Sequence, residues 1–322
     1  MNSILTKSGK ISVIFACLLL FAVAASAQLS LRTAVDTDKD GKADFSVFRP
    51  SNGTWYIFKS GGGFTFQQFG IGDDDSPAPG DFDGDGKGDI SVWRDSNGVW
   101  YRLNSSDNTF TAVQFGSSGD EPVARDYDGD GKTDLAVVRR TGGNMIWYVL
   151  GSTTGFSGTQ FGLAASDLVA PGDYDGDKKF DIAVQRQGAT PTSQAIFYIL
   201  KSSDRTLQST PWGLSNDLVV PGDYDGDGKT DIAVVREGIN ASANLVWYVL
   251  KSSDNQLLAS SFGITGTDIT VQNDYDGDGK TDFAVWRDTN GTFYVLRSNG
   301  GGLTSVQWGT SGDMPIASYD SH

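Results

Sequence analysis

Six copies of a nine-residue pattern, D-x-D-x-D-G-x-x-D, run along this chain, beginning at Asp36, Asp81, Asp126, Asp173, Asp223 and Asp274. Their first aspartates lie 45, 45, 47, 50 and 51 residues apart. Spacing this regular marks a repeat architecture, in which one unit cannot bury its apolar surface alone and stacks on its neighbours. The fourth copy departs at one place. It carries Lys178 at the sixth position, where the others have Gly41, Gly86, Gly131, Gly228 and Gly279.

Each loop runs into a short β-branched or aromatic stretch that ends at an arginine: Phe45–Phe48, Ile90–Trp93, Leu135–Val138, Ile182–Gln185, Ile232–Val235 and Phe283–Trp286, before Arg49, Arg94, Arg139, Arg186, Arg236 and Arg287. These read as strands. A turn follows, Asn-Gly in three copies (Asn52-Gly53, Asn97-Gly98, Asn290-Gly291), which is a strong hairpin signal. A second strand of the type Trp55-Tyr-Ile-Phe58 comes next. A third leads into an aromatic-glycine pair such as Phe69-Gly70 or Trp212-Gly213. A fourth, such as Leu168–Gly172 or Leu218–Gly222, enters the next loop. Four short strands per repeat is the size of a propeller blade. The expected fold is therefore all-β, a six-bladed β-propeller of four-stranded antiparallel blades, with seven blades the alternative. Small residues at one strand position (Ser46, Ser91, Ala136, Ala183, Ala233, Ala284) allow blades to approach closely. Leu29–Val35 and Met314–Tyr319 both resemble the strand before a loop, one more than six blades need, which points to ring closure by the termini.

Alternating carboxylates with a glycine at the sixth position make an oxygen cage suited to Ca²⁺. The candidate ligands are Asp36, Asp38, Asp40, Lys42 and Asp44; Asp81, Asp83, Asp85, Lys87 and Asp89; Asp126, Asp128, Asp130, Lys132 and Asp134; Asp173, Asp175, Asp177, Lys179 and Asp181; Asp223, Asp225, Asp227, Lys229 and Asp231; Asp274, Asp276, Asp278, Lys280 and Asp282. The lysines stand at the seventh position, where such loops offer a backbone carbonyl. An EF-hand would need a glutamate at the twelfth position, and Val47, Val92, Val137, Val184, Val234 and Val285 stand there. Magnesium fits less well because it prefers to keep several waters. About six structural calcium ions are expected.

The order aromatic-glycine, strand, aspartate loop, strand resembles the FG-GAP repeats of integrin α-subunit propellers and the related VCBS repeats of exported bacterial proteins. The resemblance spans residues 29–320. It implies calcium in the loop between the first and second strands of each blade, all on one face of the ring. After the second strand the integrin repeat has Gly-Ala-Pro; here Arg-Pro, Arg-Asp or Arg-Arg stands instead.

Lys7 and Lys10, the apolar run Ile11–Ala24 and Ala25-Ser26-Ala27 form an export signal, giving a signal peptide over 1–27 and one propeller domain over 28–322. The protein is expected outside the cytoplasm, extracellular or periplasmic, without membrane insertion, as a monomer. Its only cysteine, Cys17, lies in that signal, so disulfides cannot staple the fold. Beyond the signal, 23 basic residues face 40 acidic ones, and 24 of those acids sit in the loops. That balance excludes nucleic acid, which needs clustered cations.

The repeated arginine and the Trp or Phe after it suggest sugar-binding clefts between blades; the competing reading is arginine stacking on an aromatic or pairing with a loop aspartate. A second ring of aspartates, Asp75, Asp120, Asp167, Asp217, Asp268 and Asp313, reads as turn caps or as an acidic rim for cationic ligands. Catalytic equipment is sparse: one histidine, His322, and two glutamates, Glu121 and Glu237. The expected function is a non-enzymatic binding or adhesion module for a glycan or a surface protein. The alternatives are a polysaccharide lyase or hydrolase, or a structural envelope component.

Overall fold

A computed structural model describes residues 33–317. The signal peptide expected over residues 1–27 lies outside the described residues, as does Leu29–Arg32 of the N-terminal strand expected above. Six four-stranded antiparallel sheets form the blades of a propeller. Blade 2 shows the plan. Its strands are Asp75–Pro77, Ile90–Arg94, Val99–Leu103 and Phe110–Gln114, in that spatial order, with the aspartate loop between the first two. Blades 3 to 6 repeat it, with second strands at Leu135–Thr141, Ile182–Arg186, Ile232–Arg236 and Phe283–Arg287.

The first strand of each blade is shorter than expected. In blade 4 it covers Asp167–Val169, and the stretch to Gly172 keeps the Ala170 N–H bond to Ala183 O and an isolated bridge, Gly172 to Asp181. The Asn-Gly pairs lie in hairpin turns, as expected, and the turn is longer than the dipeptide. Arg49 pairs with Thr54 across four residues, and only Gly53 among them is left-handed (φ 61°). A side chain at Gly53 would strike the carbonyl of Gly70, whose neighbour Phe69 donates its N–H to Gly53 O at 2.8 Å. The turn glycine and the aromatic-glycine pair are thus two halves of one close approach.

The ring closes inside blade 1, whose order is Met314–Pro315, Phe45–Arg49, Thr54–Phe58, Phe64–Gln68. Val47 pairs with Pro315 and Phe48 with Met314. The Ile316 N–H donates to Ser46 O at 2.8 Å, the bond Ala78 makes to Ser91 in blade 2. The Asp44 N–H donates to Val35 O at 3.0 Å, the bond Asp89 makes to Gly80. The innermost strand of blade 1 is therefore divided: the C-terminal segment supplies its start and the N-terminal segment its end. No strand is surplus. Thr33–Val35 form a helical turn, not the strand expected, and the C-terminal strand is confined to Met314–Pro315, with Ser318 and Tyr319 outside the described residues.

Packing between blades explains the repeated hydrophobes. Ser46, Ser91, Ala136, Ala183, Ala233 and Ala284 are all buried, as a close interface requires. The aromatic of each aromatic-glycine pair docks on the next blade: Trp308 packs on Phe58 and Phe64, its ring nitrogen donating to Tyr56 O at 3.0 Å. Phe45 stacks on Tyr275 at 5.0 Å, again joining the last blade to the first. Aromatic pairs of this kind add about 0.5–1.5 kcal/mol each beyond the area they bury.

Candidate metal centres

A belt of backbone hydrogen bonds links the six aspartate loops. The N–H at the eighth loop position donates to the carbonyl of the first aspartate of the preceding loop: Gly88 to Asp36, Thr133 to Asp81, Phe180 to Asp126, Thr230 to Asp173, Thr281 to Asp223, and Ala43 to Asp274, at 2.6–2.9 Å. The sixth bond returns to the first loop, so the belt is closed. Position-seven lysines reinforce it, their stems lying over the position-four glycine of the preceding loop, Lys132 on Gly84 and Lys179 on Gly129 among them.

Inside each loop the first and last carboxylates organise the backbone. Asp81 accepts the N–H groups of Gly84 and Gly86; Asp89 accepts those of Phe82 and Ser105. The same bonds recur at Asp126 and Asp134. The serine just after the third strand of each blade was missed in the sequence. In five blades its hydroxyl donates to the fifth-position carboxylate, Ser105 to Asp85, Ser202 to Asp177 and Ser298 to Asp278 among them, while the Ser252 hydroxyl in blade 5 makes no such bond. Its recurrence at Ser60, Ser105, Ser152, Ser202, Ser252 and Ser298 was the signal that could have found it.

The loops gather carboxylate oxygens within 4.8 Å of one another in six groups. These include Asp36, Asp38 and Asp40; Asp81, Asp83 and Asp85; Asp126, Asp128 and Asp134; Asp173, Asp175 and Asp181; Asp223, Asp225 and Asp231. In the last three the ninth position replaces the fifth, although the fifth-position aspartate accepts the lysine N–H in all of these loops, Asp40 from Lys42 and Asp130 from Lys132 among them. The donor set fits a hard cation. One oxygen of Asp128 accepts from Thr153 and Thr154, while its other oxygen is buried without a hydrogen-bond donor. Asp38 and Asp276 hold the same kind of orphaned oxygen. A buried carboxylate oxygen without a donor is costly unless a cation meets it. These groups could hold metal ions.

Burial raises the pKa values of the organising carboxylates and so weakens them as acids. Asp89, Asp173 and Asp223 are pushed up to about 6, and Asp134, Asp181, Asp231 and Asp282 to about 7, by loss of hydration. A group whose folded value is raised stabilises the fold below its unfolded value and loses that contribution as pH climbs through the folded one. Metal-stripped protein should therefore melt at progressively lower temperature between pH 4 and pH 8. A chelated sample whose melting temperature rises over that range contradicts this.

Lys178 occupies the left-handed region (φ 74°), as do the glycines of the other loops at this position (φ 85–90°). Lys39, at the fourth position, is a second such case (φ 63°) and was not foreseen. A side chain in this region costs on the order of 1 kcal/mol. Lys178→Gly should raise stability by about that amount. Lys39→Gly should gain less, because the Lys39 ammonium donates to the Asp85 carbonyl. Lower stability of Lys178→Gly in a denaturant titration would refute the strain.

The second aspartate ring is not an acidic rim. Asp75 receives Arg94 through both carboxylate oxygens at 2.7 and 3.0 Å, and Asp120, Asp167, Asp217, Asp268 and Asp313 receive Arg139, Arg186, Arg236, Arg287 and Arg49 likewise. The arginines pair here and not with loop aspartates. They lie over the tyrosine of the third strand, Arg94 over Tyr101 at 4.3 Å. Each aspartate also caps its turn, Asp75 taking the N–H of Ile71. The aromatics expected to line sugar clefts beside these arginines (Trp55, Trp100, Trp147, Phe197, Trp247, Phe293) are buried in the blade interfaces.

Among the described residues no helix is long and apolar enough to cross a membrane. Residues 36–92 and 126–184 match the model of the FG-GAP-like repeat. A search of curated proteins finds no match. Among solved structures, a lectin from Agrocybe aegerita, described as recognising non-reducing terminal N-acetylglucosamine, superposes with a TM-score of 0.53 at 16% identity, over 84% of this chain and 92% of that one. AofleA from Arthrobotrys oligospora gives 0.51 at 10% identity, over 90% of each chain. At such identity the likeness is one of fold. The matched residues contain the first four aspartate loops, so the chain carries FG-GAP-like repeats.

Proposed function

We propose that this chain is a secreted, calcium-stabilised propeller that binds a glycan or a surface protein without chemically altering it. The observation that carries the calcium is the orphaned oxygen of Asp38, Asp128 and Asp276, buried in loops built from carboxylates alone. Oxygen-only donors at the surface of a rigid scaffold favour calcium over softer ions. When bound, the ion would neutralise buried charge and fix the loops; Asp38, Asp128 and Asp276 would hold it beside the first and last aspartates. The binding role is supported by the fold it shares with the Agrocybe lectin, which is an analogy and not a site.

Internal use of the recurring Arg-Asp pairs and blade aromatics leaves the loop face and the clefts between blades for ligands. A glycan array run with and without calcium, beside a turnover assay on the best-bound polysaccharide, tests this. Calcium-dependent binding without turnover is expected. Turnover abolished by changing an aspartate outside the loops would overturn it in favour of an enzyme, and silence in both assays would favour a structural envelope component.

A further inference from the structure

Blades 4 and 5 part at the metal-loop face around a cleft of about 270 Å³. Blade 4 contributes Lys201, Gln208 and Thr210, and blade 5 contributes Lys229, Lys251 and Asn255. Three lysines and one carboxylate, Asp175 of the blade 4 metal group, line this concavity, a cationic excess in a chain whose formal net charge is −15. Lys251 is partly neutralised by Asp254 at 2.7 Å. Lys201 and Lys229 have no carboxylate within ion-pair distance among the described residues.

The clefts between blades 2 and 3 and between blades 5 and 6 differ from it. Asn104 and Gly151 stand between blades 2 and 3 where Lys201 and Lys251 stand here. Blade 5 pairs Leu258 with Val249 where blade 4 pairs Gln208 with Ile199. At the cleft between blades 4 and 5, Ile232 and Leu250 add apolar surface beneath the amide and hydroxyl groups of Gln208, Thr210 and Asn255. Apolar surface with a few placed polar groups suits a sugar ring, and the volume is that of one ring, smaller than a drug-sized pocket. Lysine ammoniums act as point charges towards an anionic substituent.

We infer that this cleft is a subsite for a negatively charged sugar residue, an inference that rests on the glycan-binding reading above. The anion is a carboxylate or a sulfate ester on the ring, held by Lys201 and Lys251. Lys229 adds positive potential from the wall.

The test is calorimetric titration of the calcium-loaded full chain with tetrasaccharides of glucuronate, of sulfated glucose and of unmodified glucose. At least one anionic tetrasaccharide should bind one per chain, with the neutral one at least about tenfold weaker. Which anion binds identifies the substituent. Lys201→Met with Lys251→Met should weaken binding by about tenfold, while Lys201→Arg with Lys251→Arg keeps it and both variants melt like the parent. Lys59→Met, at the matching place in blade 1, should leave binding unchanged. Equal binding of the neutral sugar, no binding of either anionic one, or indifference to the Met changes would overturn the subsite. Neutral glycans captured elsewhere on the chain, insensitive to these lysines, would leave the glycan-binding reading standing while removing this one.

Discussion

Deleting Met314–His322 should lower the melting temperature by roughly 10 °C or more, or prevent folding. The deletion removes both strand pairs that close blade 1 and the Ile316 bond to Ser46. It also loosens Asp313, whose two oxygens hold Arg49 across 264 residues of sequence. Ile316 is 3% exposed, and emptying such a site costs about 2–5 kcal/mol. The opened blade then presents the edge of Phe45–Arg49, with unpaired backbone groups and Phe48 newly exposed, which invites aggregation. Ile316→Ala isolates the packing part and should cost about 2–4 kcal/mol without touching the backbone pairing. Calorimetry checks both variants. A deletion that melts like the parent would show that the ring does not depend on this clasp.

The closure was half legible. Two segments each resembling one strand were visible at the termini, and the arithmetic of six blades demanded a join. What the residues alone could not give was the division of a single strand between Val35 and Ile316, because each half keeps only one of the two bonds that define its register. The Arg-Asp pairing was written in the sequence as a constant separation of 19 residues in five blades. It went unread because the loop aspartates, closer in sequence and richer in charge, compete for the same arginine on paper. In space, antiparallel register puts Asp75 opposite Arg94, and the loops lie at the other end of the strands. The Asn-Gly turns were legible as bends but not in length: a left-handed glycine also closes a four-residue hairpin. The aspartate loops were the most legible part, since a cage of alternating carboxylates is local chemistry. Their mutual linkage by the backbone belt was not, because it joins residues of different repeats, Ala43 and Asp274 at its closure, through main-chain atoms that no side chain reports.

Calcium removal should produce the largest effect of all. Extracellular modules hold calcium with dissociation constants of roughly 10⁻⁴ to 10⁻³ M. At about 10 mM free calcium each filled site then stabilises by roughly 1.4–2.7 kcal/mol. Summed over six loops, that rivals the whole stability of a typical domain, about 5–15 kcal/mol. The belt that ties each loop to the next means that one loosened loop weakens its neighbours, so stripping should be cooperative around the ring. Chelation should therefore lower the melting temperature by more than roughly 15 °C, and magnesium should restore little of it, because it holds its waters. Asp128→Ala offers the sharper test, since it removes an orphaned oxygen from one loop and leaves five intact. That variant should bind one ion fewer by metal analysis and show a smaller rise in melting temperature with calcium. Melting that ignores both chelator and calcium would remove the metal from this fold and leave the buried carboxylates to be held by protons.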